Sequence, residues 1–315
     1  MLVETSVVGS FPKFNDSLEL SIKKVVNMQL DCGIDVITDG EQRGSMVSYF
    51  EQLSGLERSG ESLRIIGKVG PMKGEVDEFY KIVDYKKVKA ILEDLNHNDV
   101  KIKVTFTGPV TLGAICALSD AQSAEKYYDL VDMKKLYFDF SAALLPLVLR
   151  ALELGALVQI DEPLLSTGSI GLGPAKEVLE DFFLKLPTSF ANDERISLHI
   201  CGSIKAVPGL FDVLLELPVK VLSLGFSGEK ERENMDIISK KVFEDHKKKL
   251  GAGFISNIRV EDQKTIRDRF FEIKKRVGKK NIKYLHPDCG FALVSPNKVK
   301  QILENMKVVS NLVIS

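Results

Sequence analysis

An α/β fold of the (β/α)8, or TIM-barrel, class is predicted by three features of this sequence. Short β-rich apolar runs recur along the chain, longer helical patterns alternate with them, and polar clusters interrupt the chain just after several of the runs. The runs are Ser6–Val8, Val36–Thr38, Ile102–Phe106, Leu157–Ile160, Ser197–Ile200, Val221–Leu224, Leu250–Ile255 and Ile282–Leu285. Most read as apolar on both faces, as strands of a covered parallel sheet should be. A length of 315 residues holds one such barrel of about 250 residues with insertions. A doubly wound open sheet is the alternative arrangement of the same elements.

The connecting segments follow in order. Asp16 or Ser17 can cap a first helix on which Leu18, Ile22, Val25 and Val26 form one apolar face and which Gly33 ends. From about Leu53 to Tyr85 the texture changes, and RIIGKVG followed by PMKGEVDEFY predicts an inserted hairpin or lid near residues 53–85. Glu153, Leu154 and Gly155 close a helix before the run that ends at Asp161, and Pro146 inside that helix is expected to kink or split it. No Gly/Ser/Pro-rich linker and no short repeat interrupts the chain, so residues 1–315 read as a single barrel domain.

Hydrophobic residues make up 44% of the chain, enough for a large core. Lys plus Arg total 43 and Asp plus Glu 44, and the net charge of −1 gives no reason to expect nucleic acid or an anionic membrane as partner. Four cysteines in a chain of this length are not a disulfide framework, and Cys32, Cys116, Cys201 and Cys289 read as reduced thiols or metal ligands. The first residues, MLVETSVVGSF, lack the pattern of a signal peptide, and no apolar run reaches the ~18 residues of a membrane span. A soluble, cytoplasmic protein is expected.

In a barrel the C-terminal ends of the strands carry the chemistry. Polar residues follow the runs at Gly9-Ser10, Asp39-Gly40-Glu41, Thr107-Gly108-Pro109, Asp161-Glu162-Pro163, His199-Ile200-Cys201 and His286-Pro287-Asp288-Cys289. His199 and Cys201, two positions apart, share one face of a strand, and Cys289 follows the last run. Imidazole and thiolate are good zinc ligands, and the competing reading is three ordinary buried residues. Such a site either deprotonates a substrate thiol or activates water. Asp161 and Glu162 either cap the next helix or, in the case of Asp161, hold a substrate ammonium group, and Glu41 has the same two readings. Gly9-Ser10 and Thr107-Gly108-Pro109 read as turns whose backbone amides can face a carboxylate. Neither is a GxGxxG or P-loop motif. His97 and His246 sit in polar stretches and read as surface residues, and Cys32 and Cys116 as packing residues.

The motifs VVGSFP, DGEQRGSMVSYF, TGPVTL, VQIDEP, HICGS and HPDCG resemble, in the same order, the C-terminal catalytic barrel of cobalamin-independent methionine synthase, over nearly the whole chain. The chain looks like the short archaeal-type members of that family, without an N-terminal barrel. The resemblance implies zinc on His199, Cys201 and Cys289. It also implies homocysteine held by Gly9, Ser10, Glu41 and Asp161, with a methyl group moved onto its sulfur to form methionine. Three departures stand out. Gly225 replaces the family's zinc-ligating Glu, with Glu229 nearby. Asn257 and Ile258 stand where the proton-donating His is usual, so no catalytic residue is assigned. The Trp that follows TGPVT is missing. These losses fall on the donor side, so methylcobalamin or a corrinoid protein is expected as methyl donor in place of methyltetrahydrofolate. The alternatives are a methylcobamide-dependent methyltransferase for another thiol such as coenzyme M, a non-catalytic zinc-binding barrel, and a uroporphyrinogen-decarboxylase-like enzyme.

Overall fold

The structure, a computed structural model, describes residues 3–191, 194–228 and 231–314. Strands and helices alternate as the apolar pattern predicts. The first part of the chain holds β1 (Glu4–Thr5), α1 (Leu18–Asp31), β2 (Val36–Ile37), β3 (Leu56–Ser59), β4 (Ser62–Ile65) and α2 (Tyr80–Asp94). It continues with β5 (Lys101–Thr107), α3 (Pro109–Ser119), α4 (Ala121–Ala124), α5 (Lys134–Glu153), β6 (Leu157–Asp161), α6 (Leu172–Leu184), α7 (Thr188–Ala191) and β7 (Ile196–Ile200). The last part holds α8 (Leu210–Glu216), β8 (Val221–Gly225), α9 (Lys240–Asp245), β9 (Lys249–Ile255), α10 (Gln263–Val277), β10 (Ile282–Pro287) and α11 (Pro296–Ile314). Eight strands form one sheet in the order β1-β10-β9-β8-β7-β6-β5-β2, and every pairing in it is parallel. A parallel bridge between Ser6 and Val36 joins the two ends of that order, which closes the (β/α)8 barrel. No described helix is long and apolar enough to cross a membrane.

Strand residues of one parity pack outward against the helices: Val104 and Phe106, Val158 and Ile160, Leu198 and Ile200, and Leu222 and Leu224 all belong to the main core. The other parity faces inward. At the bottom of the barrel it supplies a small apolar layer of Val36, Leu157, Val221 and Tyr284. Above that layer the strands are not apolar on both faces, as the sequence reading had it. Lys103, Thr105, Gln159, Ser197, His199, Ser223 and His286 are buried there. Hydrogen bonds to one another, to Glu41 or to backbone carbonyls offset their desolvation.

Two local expectations are corrected. Ser17 caps α1, accepting from Leu20 N, and Gly33 (φ +63°) ends it as foreseen. The inserted hairpin is β3–β4, pinned to the helix layer by Ser123 Oγ donating to Ile65 O at 2.7 Å. However, Tyr80–Tyr85 belong to α2 and not to the insertion. Pro146 does not split its helix, because α5 runs through it for 20 residues. Proline removes one backbone hydrogen bond, but Leu144, Leu147 and Val148 around it are fully packed, and that burial holds the helix together.

Candidate active site and metal centre

Strand register builds the site. Thr107 pairs with Asp161, Asp161 with His199, and His199 with Ser223, so consecutive strands present these side chains at one level of the barrel mouth. A cavity of about 440 Å³ opens above them. Gly9, Ser10, Glu41, Asp161, His199, Cys201 and Cys289 all line it, which brings together every residue assigned from the sequence to substrate or metal. Lys13, Met46 and Glu61 complete the mouth, and Ser45 Oγ donates to Glu61 O at 2.6 Å, tying the hairpin turn to the rim.

On one side lie the carboxylates. The Gly40-Glu41 turn has positive φ at both residues (71° and 54°), which aims Glu41 into the barrel. A glutamate held in the left-handed region costs about 1–3 kcal/mol and persists only when its surroundings fix it. They do so here. Lys81, fully buried on α2, donates to Glu41 Oε1 at 2.6 Å and to Thr105 Oγ1 at 3.2 Å, with its ammonium 4.0 Å above the Tyr49 ring. Thr105 Oγ1 also donates to Glu41 Oε1 at 3.1 Å, and Lys13 donates to Glu41 O. Burial alone would raise Glu41, but the Lys81 ion pair and these hydrogen bonds hold it below the usual carboxylate range. Asp161 is held by a different line. Lys103 Nζ donates to Gln159 Oε1 at 2.6 Å, which orients the Gln159 amide so that Nε2 donates to Asp161 Oδ1 at 2.7 Å. Burial pushes Asp161 up to about 8, Glu41 adding to it, and pushes Lys103 down to about 7.

Glu162, beside Asp161, is structural. Its two oxygens accept from Val110 N (3.0 Å) and Thr111 N (2.7 Å) at the start of α3. A Cβ at Gly108 would stand 2.2 Å from Glu162 Oε1, so glycine is required there. The amides after Thr107-Gly108-Pro109 thus bind a carboxylate of the protein itself.

On the other side lie the soft donors. His199 Nε2 is 2.9 Å from Cys201 Sγ, and Cys201 Sγ is 2.8 Å from Cys289 Sγ. All three donor atoms fall within 4.8 Å of one another. Asp288 anchors the loop beside them, accepting from Phe226 N (2.9 Å) and Ser227 N (3.1 Å). The two thiols share a hydrogen bond in which either sulfur can donate. Burial pushes His199 well below its usual value, so its ring is neutral. His199 Nδ1 is 2.9 Å from Ser223 Oγ, and Ser223 Oγ is 2.9 Å from His286 Nε2. Among the described residues no lysine or arginine is hydrogen-bonded to either sulfur. Two thiol sulfurs and a neutral imidazole, converging without a cation of their own, fit zinc.

The remaining sequence-assigned positions lie off the cavity. Asn257 Nδ2 donates to Gly290 O at 2.8 Å, and Ile258 is exposed; neither lines the cavity. Gly225 ends β8 with its carbonyl held by Asn234 Nδ2 at 2.9 Å. Glu229, the other carboxylate offered as fourth ligand, lies outside the described residues. Cys32 and Cys116 are buried packing residues, and His97 and His246 are exposed. Sequence reasoning missed Lys81, Lys103, Gln159 and Ser223, and left His286 without a role. A lysine inside the apolar strand run KIKVTF was the one available signal.

The family described as the catalytic domain of cobalamin-independent synthase matches residues 4–311. A methionine synthase from Methanothermobacter marburgensis is 30% identical over 307 residues, covering 96% of this chain and 90% of that protein. The 5-methyltetrahydropteroyltriglutamate–homocysteine methyltransferase of Dictyostelium discoideum is 24% identical over 351 residues, covering 97% of this chain but 39% of that longer protein. In structure, a B12-independent methionine synthase from a Shewanella species superposes with a TM-score of 0.74 at 18% identity, covering 99% of this chain and 98% of that one, which shows the shared fold. The chain belongs to the cobalamin-independent methionine synthase family, as a methyltransferase built on its catalytic barrel.

Proposed function

We propose that this chain, acting as one catalytic barrel, moves a methyl group onto the sulfur of homocysteine to form methionine. The observation that carries the reading is the division of one cavity between two carboxylates and three soft metal donors. Glu41 and Asp161 each have one oxygen taken by an internal partner, and their remaining oxygens suit the substrate ammonium group. Gly9 and Ser10 offer backbone to the substrate carboxylate. His199, Cys201 and Cys289 would hold zinc, which makes a bound thiol give up its proton and supplies thiolate, the nucleophilic form, at neutral pH. The protein's own part is to place the sulfur: an amino acid gripped at Glu41 and Asp161 can reach His199 and Cys201 across the same small cavity. A sulfonate thiol such as coenzyme M would face two carboxylates with no ammonium to offer them, so that alternative is disfavoured. The four unpaired cysteines suit the reducing cytoplasm.

The methyl donor departs from the sequence-based expectation. Relatives whose names state a donor, such as the Dictyostelium enzyme, name 5-methyltetrahydropteroyltriglutamate, and no comparison supports a corrinoid or a corrinoid protein. We therefore take a methylated tetrahydropterin as donor. The sulfur lone pair forms the new S–CH3 bond, the C–N electrons stay on the pterin nitrogen, and that nitrogen takes up a proton. The missing His and Trp removed features of one donor site, but an absence does not specify a replacement. The test is methionine formation by the zinc-loaded protein from homocysteine and either a methylated tetrahydropterin or methylcobalamin at matched concentrations. Turnover with the pterin at least tenfold faster supports the donor assignment, and faster turnover with methylcobalamin reverses it. Methionine from neither overturns the reading.

A further inference from the structure

Behind the metal donors runs a line of groups that methyl transfer itself does not use: His286 on β10, Ser223 on β8 and His199 on β7, with β9 between the first two strands. We propose that His286 and Ser223 are positioning residues that fix the tautomer of His199, so that its Nε2 is always the nitrogen presented to the metal. This deepens, and rests on, the reading of His199, Cys201 and Cys289 as a zinc site.

The direction of every bond follows from one carbonyl. His286 Nδ1 is 2.7 Å from Pro287 O, which can only accept, so Nδ1 carries the hydrogen. The ring is buried, no acidic side chain is hydrogen-bonded to it among the described residues, and Pro287 O is the one carbonyl in hydrogen-bonding geometry with it, which leaves Nε2 bare. Ser223 Oγ, 2.9 Å from that nitrogen, therefore donates to it. With its hydrogen committed, the hydroxyl offers only lone pairs to His199 Nδ1 at 2.9 Å, and Nδ1 must carry the hydrogen. His199 Nε2 is then bare and accepts from the Cys201 thiol at 2.9 Å, which leaves the Cys201 sulfur to accept from Cys289. Packing leaves room for this line and little else. A Cβ on Gly251 would lie 3.0 Å from His286 Nε2 and 3.3 Å from Ser223 Cβ. Groups that hold the far nitrogen of a metal-binding imidazole set its tautomer and basicity, and their loss weakens metal binding by about 10–100-fold. With Gly225 offering no carboxylate next to the site, three side chains among the described residues remain to hold the ion, and a freely exchanging tautomer at one of them would be felt in the affinity.

The chain has only four histidines, two of them exposed, so their rings can be resolved individually. Long-range 1H–15N correlation on the metal-free wild-type protein should show His199 as the Nδ1–H tautomer. Ser223→Ala, which removes one buried oxygen and little volume, should give a tautomer mixture and zinc bound about 10–100-fold more weakly in competition with a chromophoric chelator. His286→Leu should do the same. An Nε2–H tautomer in the wild type overturns the proposal, and so does a Ser223→Ala protein whose zinc affinity stays within about twofold. If the wild type binds no zinc, the zinc reading falls, while the tautomer of its His199 still decides whether the relay exists.

Discussion

The two sides of the barrel mouth solve opposite electrostatic problems. On the amino-acid side, buried acidic groups come with buried lysines: Lys81 sits on Glu41, and Lys103 reaches Asp161 through Gln159. On the sulfur side, the donors are supported by neutral groups, Ser223 and His286, and no cationic side chain bonds to either thiol among the described residues. Isolated charge is costly to bury, so on the proposed reading the first side holds a ligand by shape and residual hydrogen-bonding capacity, while the second would be completed by a cation from outside. The difference separates the roles that one small cavity must combine, gripping an amino acid and activating its sulfur.

That separation can be broken from either side. The largest effect is expected on the sulfur side. Cys201→Ala or Cys289→Ala should abolish zinc retention and lower methyl transfer by at least about 10³-fold, with little loss of fold, because the ligands stand outside the outward-facing core. Metal analysis and a thermal melt check this, and global unfolding of both variants would mark the cysteines as structural.

Asp161→Asn should leave zinc in place but weaken homocysteine use by roughly 10²-fold, as removal of one member of a buried charge pair costs about 2–5 kcal/mol. The comparison is sharpened by pH. Burial pushes Asp161 up to about 8, so below that pH the free site carries a neutral carboxyl that cannot pair with an ammonium group. Affinity for methionine, which has no thiol to titrate, should therefore rise as pH increases from about 6 to 8. Asp161→Asn should flatten this limb, and a limb that persists in the variant would assign it elsewhere.

Lys81→Met leaves Glu41 buried without its cation. It should destabilise the protein by about 3–5 kcal/mol and raise KM for homocysteine, with zinc affinity unchanged. Denaturant melts and zinc competition measured together test the claimed independence of the two sides, and zinc loss would break it. The smallest effect is expected from Gly225→Glu. Gly225 lies two residues beyond Ser223, which pairs with His199, so a carboxylate there would sit on the sulfur side. Zinc should tighten by up to about tenfold, and unchanged affinity would mean that another group already fills that place.

The sequence made the barrel and the ligand set legible because both rest on short-range patterns. Strands of period two alternate with helices, and His199 and Cys201 share a strand face by spacing alone. The supporting residues were harder to see. Lys81 and Ser223 are ordinary polar residues whose partners lie 40 and 24 positions away or more, and Gln159, though on the same strand as Asp161, is oriented by Lys103, 56 positions away; only the assembled barrel brings these groups together. Pro146 was misjudged because helix propensity is local while the packing around α5 is not. The corrinoid donor expected from the sequence finds no support among the relatives, because residues that are absent exclude an interaction without naming its successor.

The most direct test of the account is X-ray absorption at the zinc edge, before and after homocysteine is added. Zinc on two sulfurs and one imidazole nitrogen, gaining one further sulfur with homocysteine, is the predicted result. A protein that holds no zinc, or a zinc shell that homocysteine leaves unchanged, would contradict it.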